Sequence, residues 1–244
     1  MQQYEAGFNP LAIKGSLERQ EIAKQLATLR VHERADRYTM DRNASEYYSI
    51  LDGYIQSLFY VKQLGSSKVV LDIGAGTTKA ISEISESPEG KGLELEFRAT
   101  VLTYTPAIEE NLGLVNTHIT PAETLSGIDD NSVGLALAVY SITYSVRPDA
   151  TIDRINDILV PGGILKGTFF SEKEKGVNAS IASRITPFQR RLRELNYDIA
   201  LGPNEVILAK KPGGHLAVSA QDLLEADRHE RTSFFQGLST LYKS

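Results

Sequence analysis

The residues best suited to chemistry stand in one short run, Asp72-Ile73-Gly74-Ala75-Gly76-Thr77-Thr78. It follows a β-branched stretch, 68–73, and leads into a helical pattern at about 77–85. Closely spaced glycines let a strand-to-helix turn fold tightly and bring its backbone near a ligand, and a helix start offers N–H groups to a carboxylate or phosphate. The ligand is not a dinucleotide on this pattern, because the third glycine of that fingerprint falls on Lys79. A phosphate-gripping G-x-x-x-x-G-K-[ST] loop and a G-x-S-x-G nucleophile turn are also absent. Without a ligand, Asp72 would read as a carboxylate capping the helix and the glycines as a tight connection.

Other chemical types are scattered. His32, His118, His215 and His229 show no ligand spacing, and with no cysteine in the chain there is no basis for a metal site or a disulfide framework. Arg190-Arg191-Arg193 invites a nucleic-acid reading, but a solvated helix face explains it more simply, as a mobile charged loop explains Glu172-Lys173-Glu174-Lys175. The formal charge is −5 and no segment holds a basic surplus, which argues against a dedicated nucleic-acid binder.

The elements that must position this turn can be read along the 244 residues. At 41% hydrophobic and 23% charged, the chain has enough apolar material for a full core. Residues 16–35 pattern as an amphipathic helix capped by Ser16. Residues 46–63 pattern as a second, capped by Ser45 and apolar on more than one side. From residue 68 strands and helices alternate: extended at 68–73, 93–103, 115–119, 133–140 and 164–170, helical at 77–85, 106–112, 149–159 and 186–196. Pro161-Gly162-Gly163 reads as the turn before the fifth strand, and 197–201 with 205–210 as a hairpin. Residues 133–140 are continuously apolar, as in a strand covered on both faces. The pattern predicts an α/β fold, a doubly wound and mostly parallel sheet with a C-terminal antiparallel hairpin. The expected division is an N-terminal helical cap (1–65), a Rossmann-like domain (66–212) and a C-terminal helical extension (213–244). The absence of a basic start followed by an apolar run, and of any bilayer-length apolar stretch, leads to the expectation of a cytoplasmic protein with no membrane partner.

The glycine run resembles the first motif of the class I S-adenosylmethionine-dependent methyltransferases, an acidic residue followed by G-x-G-x-G. The resemblance continues in order over about 145 residues. Thr103-Tyr104-Thr105-Pro106 resembles the end of that family's second strand, and Pro121-Ala122-Glu123-Thr124-Leu125 the stretch after its third. Asp130-Asn131-Ser132-Val133-Gly134-Leu135 resembles the start of its fourth, Leu159-Val160-Pro161-Gly162-Gly163-Ile164-Leu165 the lead into its fifth, and Ile207–Pro212 its last strand. The resemblance implies S-adenosylmethionine as cofactor and methyl transfer to a small molecule or a protein side chain. It implies that Asp72 orders the turn and meets the methionine ammonium through water, with Gly74, Ala75 and Gly76 lying against the donor. Thr103 or Tyr104 would face the ribose, Ala122 and Glu123 the adenine, and Tyr140 to Tyr144 would floor the transfer site, Tyr140 and Tyr144 being the catalytic candidates. Tyr38, Tyr47 and Tyr48 would be lid or acceptor contacts. The chain departs from the family at Thr78 (third glycine), Thr103 (ribose acid), Pro121 (adenine acid) and Gly134 (acid of the fourth strand). These departures leave a second expectation open, a non-catalytic protein that keeps the fold, and the terminal helices could support self-association. An RNA methyltransferase is the third and weakest reading.

Overall fold

The computed structural model describes residues 42–102, 108, 115–145, 147–168 and 185–241. The expected helices at 16–35 and 106–112 (Ile108 apart), and the 172–175 loop, lie outside these residues.

The chain enters through α1 (Ala44–Ile50) and α2 (Ile55–Leu64), then alternates: β1 (Val69–Ile73), α3 (Lys79–Glu86), α4 (Pro88–Leu93), β2 (Glu96–Val101), β3 (Asn116–Ile119), β4 (Val133–Val139), α5 (Pro148–Ile158), β5 (Leu159–Thr168), α6 (Ile185–Glu194), β6 (Asp198–Leu201), β7 (Val206–Lys210) and α7 (Ala220–Leu241). The strands form one sheet in the order β3-β2-β1-β4-β5-β7-β6. β1 to β5 pair in parallel, and β7 runs antiparallel between β5 and β6. The order reverses between β1 and β4, so the carboxyl ends of these two strands frame the crevice where open α/β sheets bind ligands.

Burial on both faces explains why β4 is apolar throughout. Leu135, Leu137 and Val139 join the core shared with α1, α2 and α7, which includes Tyr47, Leu58, Val61, Leu223 and Leu224. Val133, Ala136 and Ala138 join the opposite core with Ile152 and Ile155 of α5 and Phe188 and Leu192 of α6. Asp72 has the strand parity of Val70, so it points toward the face covered by α1.

Several expected boundaries move, each for a physical reason. Residues 46–63 form two helices, not one, because Asp52 (φ 58°) and Gly53 (φ 90°) turn the chain between them. At this break the fully buried Asp52 carboxylate lies 2.8 Å from the Arg231 guanidinium and 3.6 Å from that of Arg228, both on α7. The first cap is Asn43, whose side chain accepts from the Glu46 N–H at 2.9 Å while Glu46 accepts from the Asn43 N–H at 2.8 Å. Ser45 only donates to that cap. Residues 88–93, part of which was expected to be extended, are a short helix started by Pro88 under the Ser87 cap. Pro161-Gly162-Gly163 remains within β5, bulged where the pairing with β4 skips Gly134.

A buried ion pair joins sheet and terminal helix. Lys166 of β5 and Asp227 of α7 have no exposed surface, and Nζ lies 2.6 Å from Oδ2. Ser57 of α2 donates to the same carboxylate through both its backbone N–H and its hydroxyl. Removing one partner strands a charge in the core, which costs far more than replacing both by apolar groups. Asp227→Ala is therefore expected to destabilise the fold by about 3–5 kcal/mol in urea unfolding, and Lys166→Met/Asp227→Leu by much less.

Candidate functional site

β1 ends in a carboxylate with no exposed surface. Asp72 Oδ2 accepts from the Tyr47 hydroxyl at 2.8 Å, while Oδ1 is buried with no partner. Burial raises this carboxyl to about 7, against the opposing effects of the Tyr47 hydrogen bond and the nearby Arg42 charge. Tyr47 is itself raised well above the ordinary phenol range, chiefly by burial and then by the Asp72 charge. Across the sheet, Asp72 is flanked by Ala99 and Leu137, which offer it no charge.

The turn after Asp72 holds itself together. Gly74 donates its N–H to Thr100 Oγ1 at 3.0 Å, Ala75 to the Thr100 carbonyl at 2.8 Å and Thr78 to the Ala75 carbonyl at 2.9 Å. These three amides are engaged within the fold. Gly74 has φ +71°, and a Cβ there would sit 2.5 Å from Ser141 Cβ. The close approach that demands a glycine is thus between the loops after β1 and β4. At the third position, Thr78 adopts φ 65° and buries a hydroxyl with no partner. A β-branched residue is strained in that left-handed conformation, which glycine accepts freely.

The remaining candidates border this turn. Tyr140 follows β4 with φ 56°, donates its N–H to the Thr168 carbonyl at 3.1 Å, and lies under the Arg42 guanidinium, 4.9 Å from its ring centroid. Tyr144 lies one short turn further on, in the 3-10 segment Ile142–Tyr144. Ala122 and Glu123 occupy the turn after β3. Thr120 Oγ1 fixes that turn by accepting from the Ser126 N–H at 2.7 Å. Arg154 of α5 pins it from outside, donating to the carbonyls of Thr124 and Ile128. Thr103, Tyr104 and Tyr38 lie outside the described residues. Tyr48 turns away from β1 and donates to Glu230 of α7 at 2.6 Å. α1 crosses over α3, where the Ala44 N–H donates to Glu83 Oε2 at 2.7 Å.

Gly134 has a packing reason to lack the family's acid. A Cβ there would meet Val61 Cγ1 at 2.7 Å and the Ser67 carbonyl at 3.2 Å, so α2 lies too close for a side chain. Two arginines of the α6 cluster are engaged in ion pairs: Arg190 with Asp149 and Glu194, Arg191 with Asp153 and Glu194. Among the described residues no cluster of potential metal ligands occurs, and no helix is long and apolar enough to cross a membrane.

A sheet ordered 3-2-1-4-5-7-6 with its seventh strand antiparallel, and an acid-then-glycine turn after the central β1, decides the architecture. It is the class I methyltransferase fold. No family model and no curated protein matches the chain. Solved structures of similar shape include the cyclase SpnF, at 19% identity and TM-score 0.46, over 60% of this chain and 75% of that one. They also include the DszA carbon methyltransferase, at 16% and 0.49, over 59% of this chain and 47% of that one. A third is a phosphoethanolamine N-methyltransferase of Haemonchus contortus complexed with S-adenosylhomocysteine, at 18% and 0.41, over 55% of this chain and 34% of that one.

Sequence reasoning missed Thr100, Arg42 and Arg154, which lack motif spacing and act through contacts distant in the chain. Two outcomes follow from the turn. Thr78→Gly removes strain and an orphaned hydroxyl, and is expected to raise stability by about 1 kcal/mol in urea unfolding. The fold holds the Asp72 proton more tightly than the unfolded chain does, so this stabilisation is complete in acid and lost as pH rises from about 4 to about 7. Asp72→Asn should flatten that part of the stability–pH curve.

Proposed function

We propose that this chain is an S-adenosylmethionine-dependent methyltransferase acting on a small molecule or a protein side chain. The observation that carries this reading is the unpartnered, fully buried Oδ1 of Asp72 beside the glycine turn at the sheet's switch point. A buried anionic oxygen without a donor is costly, and an ammonium is the group that would satisfy it. The residues present therefore fit the amino-acid end of the donor. When bound, S-adenosylmethionine supplies a methyl on a sulfonium, whose displacement leaves a neutral thioether.

Asp72 takes the ammonium, and the Thr100-braced turn sets how near the donor can come. By the motif resemblance, Thr103 or Tyr104 would meet the ribose with a neutral hydroxyl instead of a carboxylate, and Ala122 and Glu123 would border the adenine. Tyr140, with Tyr144 beyond it, lies where methyl and acceptor meet. α1 covers this end of β1 and limits water. Transfer between aligned groups needs chiefly position, and a general base only where the acceptor must shed a proton. Such chemistry requires no catalytic triad or paired carboxylates.

Calorimetric titration with S-adenosylhomocysteine should show saturable binding, with a matching thermal shift. Thr103→Asp, which restores a ribose-directed carboxylate, is expected to strengthen that binding about tenfold. Absence of both signals at millimolar ligand would replace this reading with that of a non-catalytic protein that has kept the fold.

A further inference from the structure

The partner of Asp72 comes from outside the glycine motif, 25 residues upstream in α1. Tyr47 is 2% exposed, packed in the core shared by α1, β1 and β4, and its hydroxyl is directed to one carboxylate oxygen. Two features make this more than a packing contact. A phenol donating to a carboxylate stabilises the ionised form, opposing the burial that favours the neutral one. By occupying Oδ2, it also leaves Oδ1 as the oxygen without a donor.

We propose that Tyr47 is a positioning residue for the donor site, whose hydroxyl keeps Asp72 ionised in a dry environment and fixes the carboxylate with Oδ1 reserved for the donor's ammonium. The proposal deepens the methyltransferase reading and rests on it. The groups around Asp72 assign the effect to Tyr47 and one other residue. Arg42, just before α1, is the charge whose field favours the carboxylate, and its guanidinium stacks over Tyr140. The strand neighbours Ala99 and Leu137 do not titrate, and the turn beyond engages Thr100 by its amides. Tyr47 is thus the direct hydrogen-bond donor and Arg42 the longer-range contributor. The ionised carboxylate is the form that binds a cation, so losing the hydroxyl must move donor binding along the pH axis. A contact that only filled space would weaken binding equally at every pH.

The test is a pH titration from 5.5 to 9 of the full chain and of Tyr47→Phe, following the Asp72 side-chain carboxyl carbon by NMR, with that resonance assigned through Asp72→Asn. Binding of S-adenosylhomocysteine is measured by calorimetry over the same range. The Asp72 midpoint of the full chain should lie near 7 and rise by about one pH unit in Tyr47→Phe, the size of one hydrogen bond to a charged group. Binding by Tyr47→Phe should be about fivefold weaker at pH 7 and approach that of the full chain by pH 9. In Asp72→Asn, binding should be weak and independent of pH across this transition. In the unsubstituted chain the Tyr47 ring carbon bearing the hydroxyl should titrate with the Asp72 midpoint, which serves as the test if Tyr47→Phe does not fold. An unchanged Asp72 midpoint in Tyr47→Phe, affinity lost by one factor at all pH values, or a Tyr47 carbon that ignores the Asp72 titration would overturn the role of Tyr47. Failure of the unsubstituted chain to bind S-adenosylhomocysteine at any pH would instead overturn the donor reading, and this role with it.

Discussion

A carboxylate removed from water at the end of the central strand is the constraint around which this structure is arranged. Burying an anion is unfavourable unless donors surround it, and Asp72 has only one, the Tyr47 hydroxyl. To supply that donor, α1 must cross the carboxyl edge of the sheet, and its capping box and the Glu83 contact hold it there. The turn beyond Asp72 must then close without using the carboxylate, and Thr100 makes this possible by accepting two consecutive amides. α1, the strand end and the glycine turn thus meet at one incompletely satisfied charge.

The departures from the family pattern divide by physical cause. Gly134 is imposed by the proximity of α2, since a side chain there would collide with Val61. Thr78 is different: its backbone takes the conformation that glycine favours, so the geometry of the loop is kept while the residue that fits it best is missing. A turn that retains its shape against local strain is one whose shape is over-determined by its surroundings, here Thr100 below and Ser141 beside it.

Much of the fold was legible because it follows from local pattern. The apolar run in β4 signals burial on both faces, and the strand–helix alternation signals a parallel sheet with its closing hairpin. What escaped the sequence depends on partners far away. The residue at the break between α1 and α2, Asp52, pairs with arginines 231 and 228, well over a hundred residues downstream. The Pro161-Gly162-Gly163 segment stays in the sheet because of how it pairs with β4, which no local turn signal reveals. At the site, the acid and the glycines are visible as a motif. The donor to Asp72, the anchor Thr100 and the brace Arg154 are contacts made only by the tertiary fold.

The buried ammonium of Lys166 also bears on how the protein is made. Its counterion, Asp227, is synthesised 61 residues after it, so a growing chain has the sheet's middle strands long before it has the charge that neutralises them. Until then the lysine favours leaving the interior for water, and the central strands cannot seal around it at full strength. α7 thus supplies the charge that lets the sheet's middle strands close over Lys166.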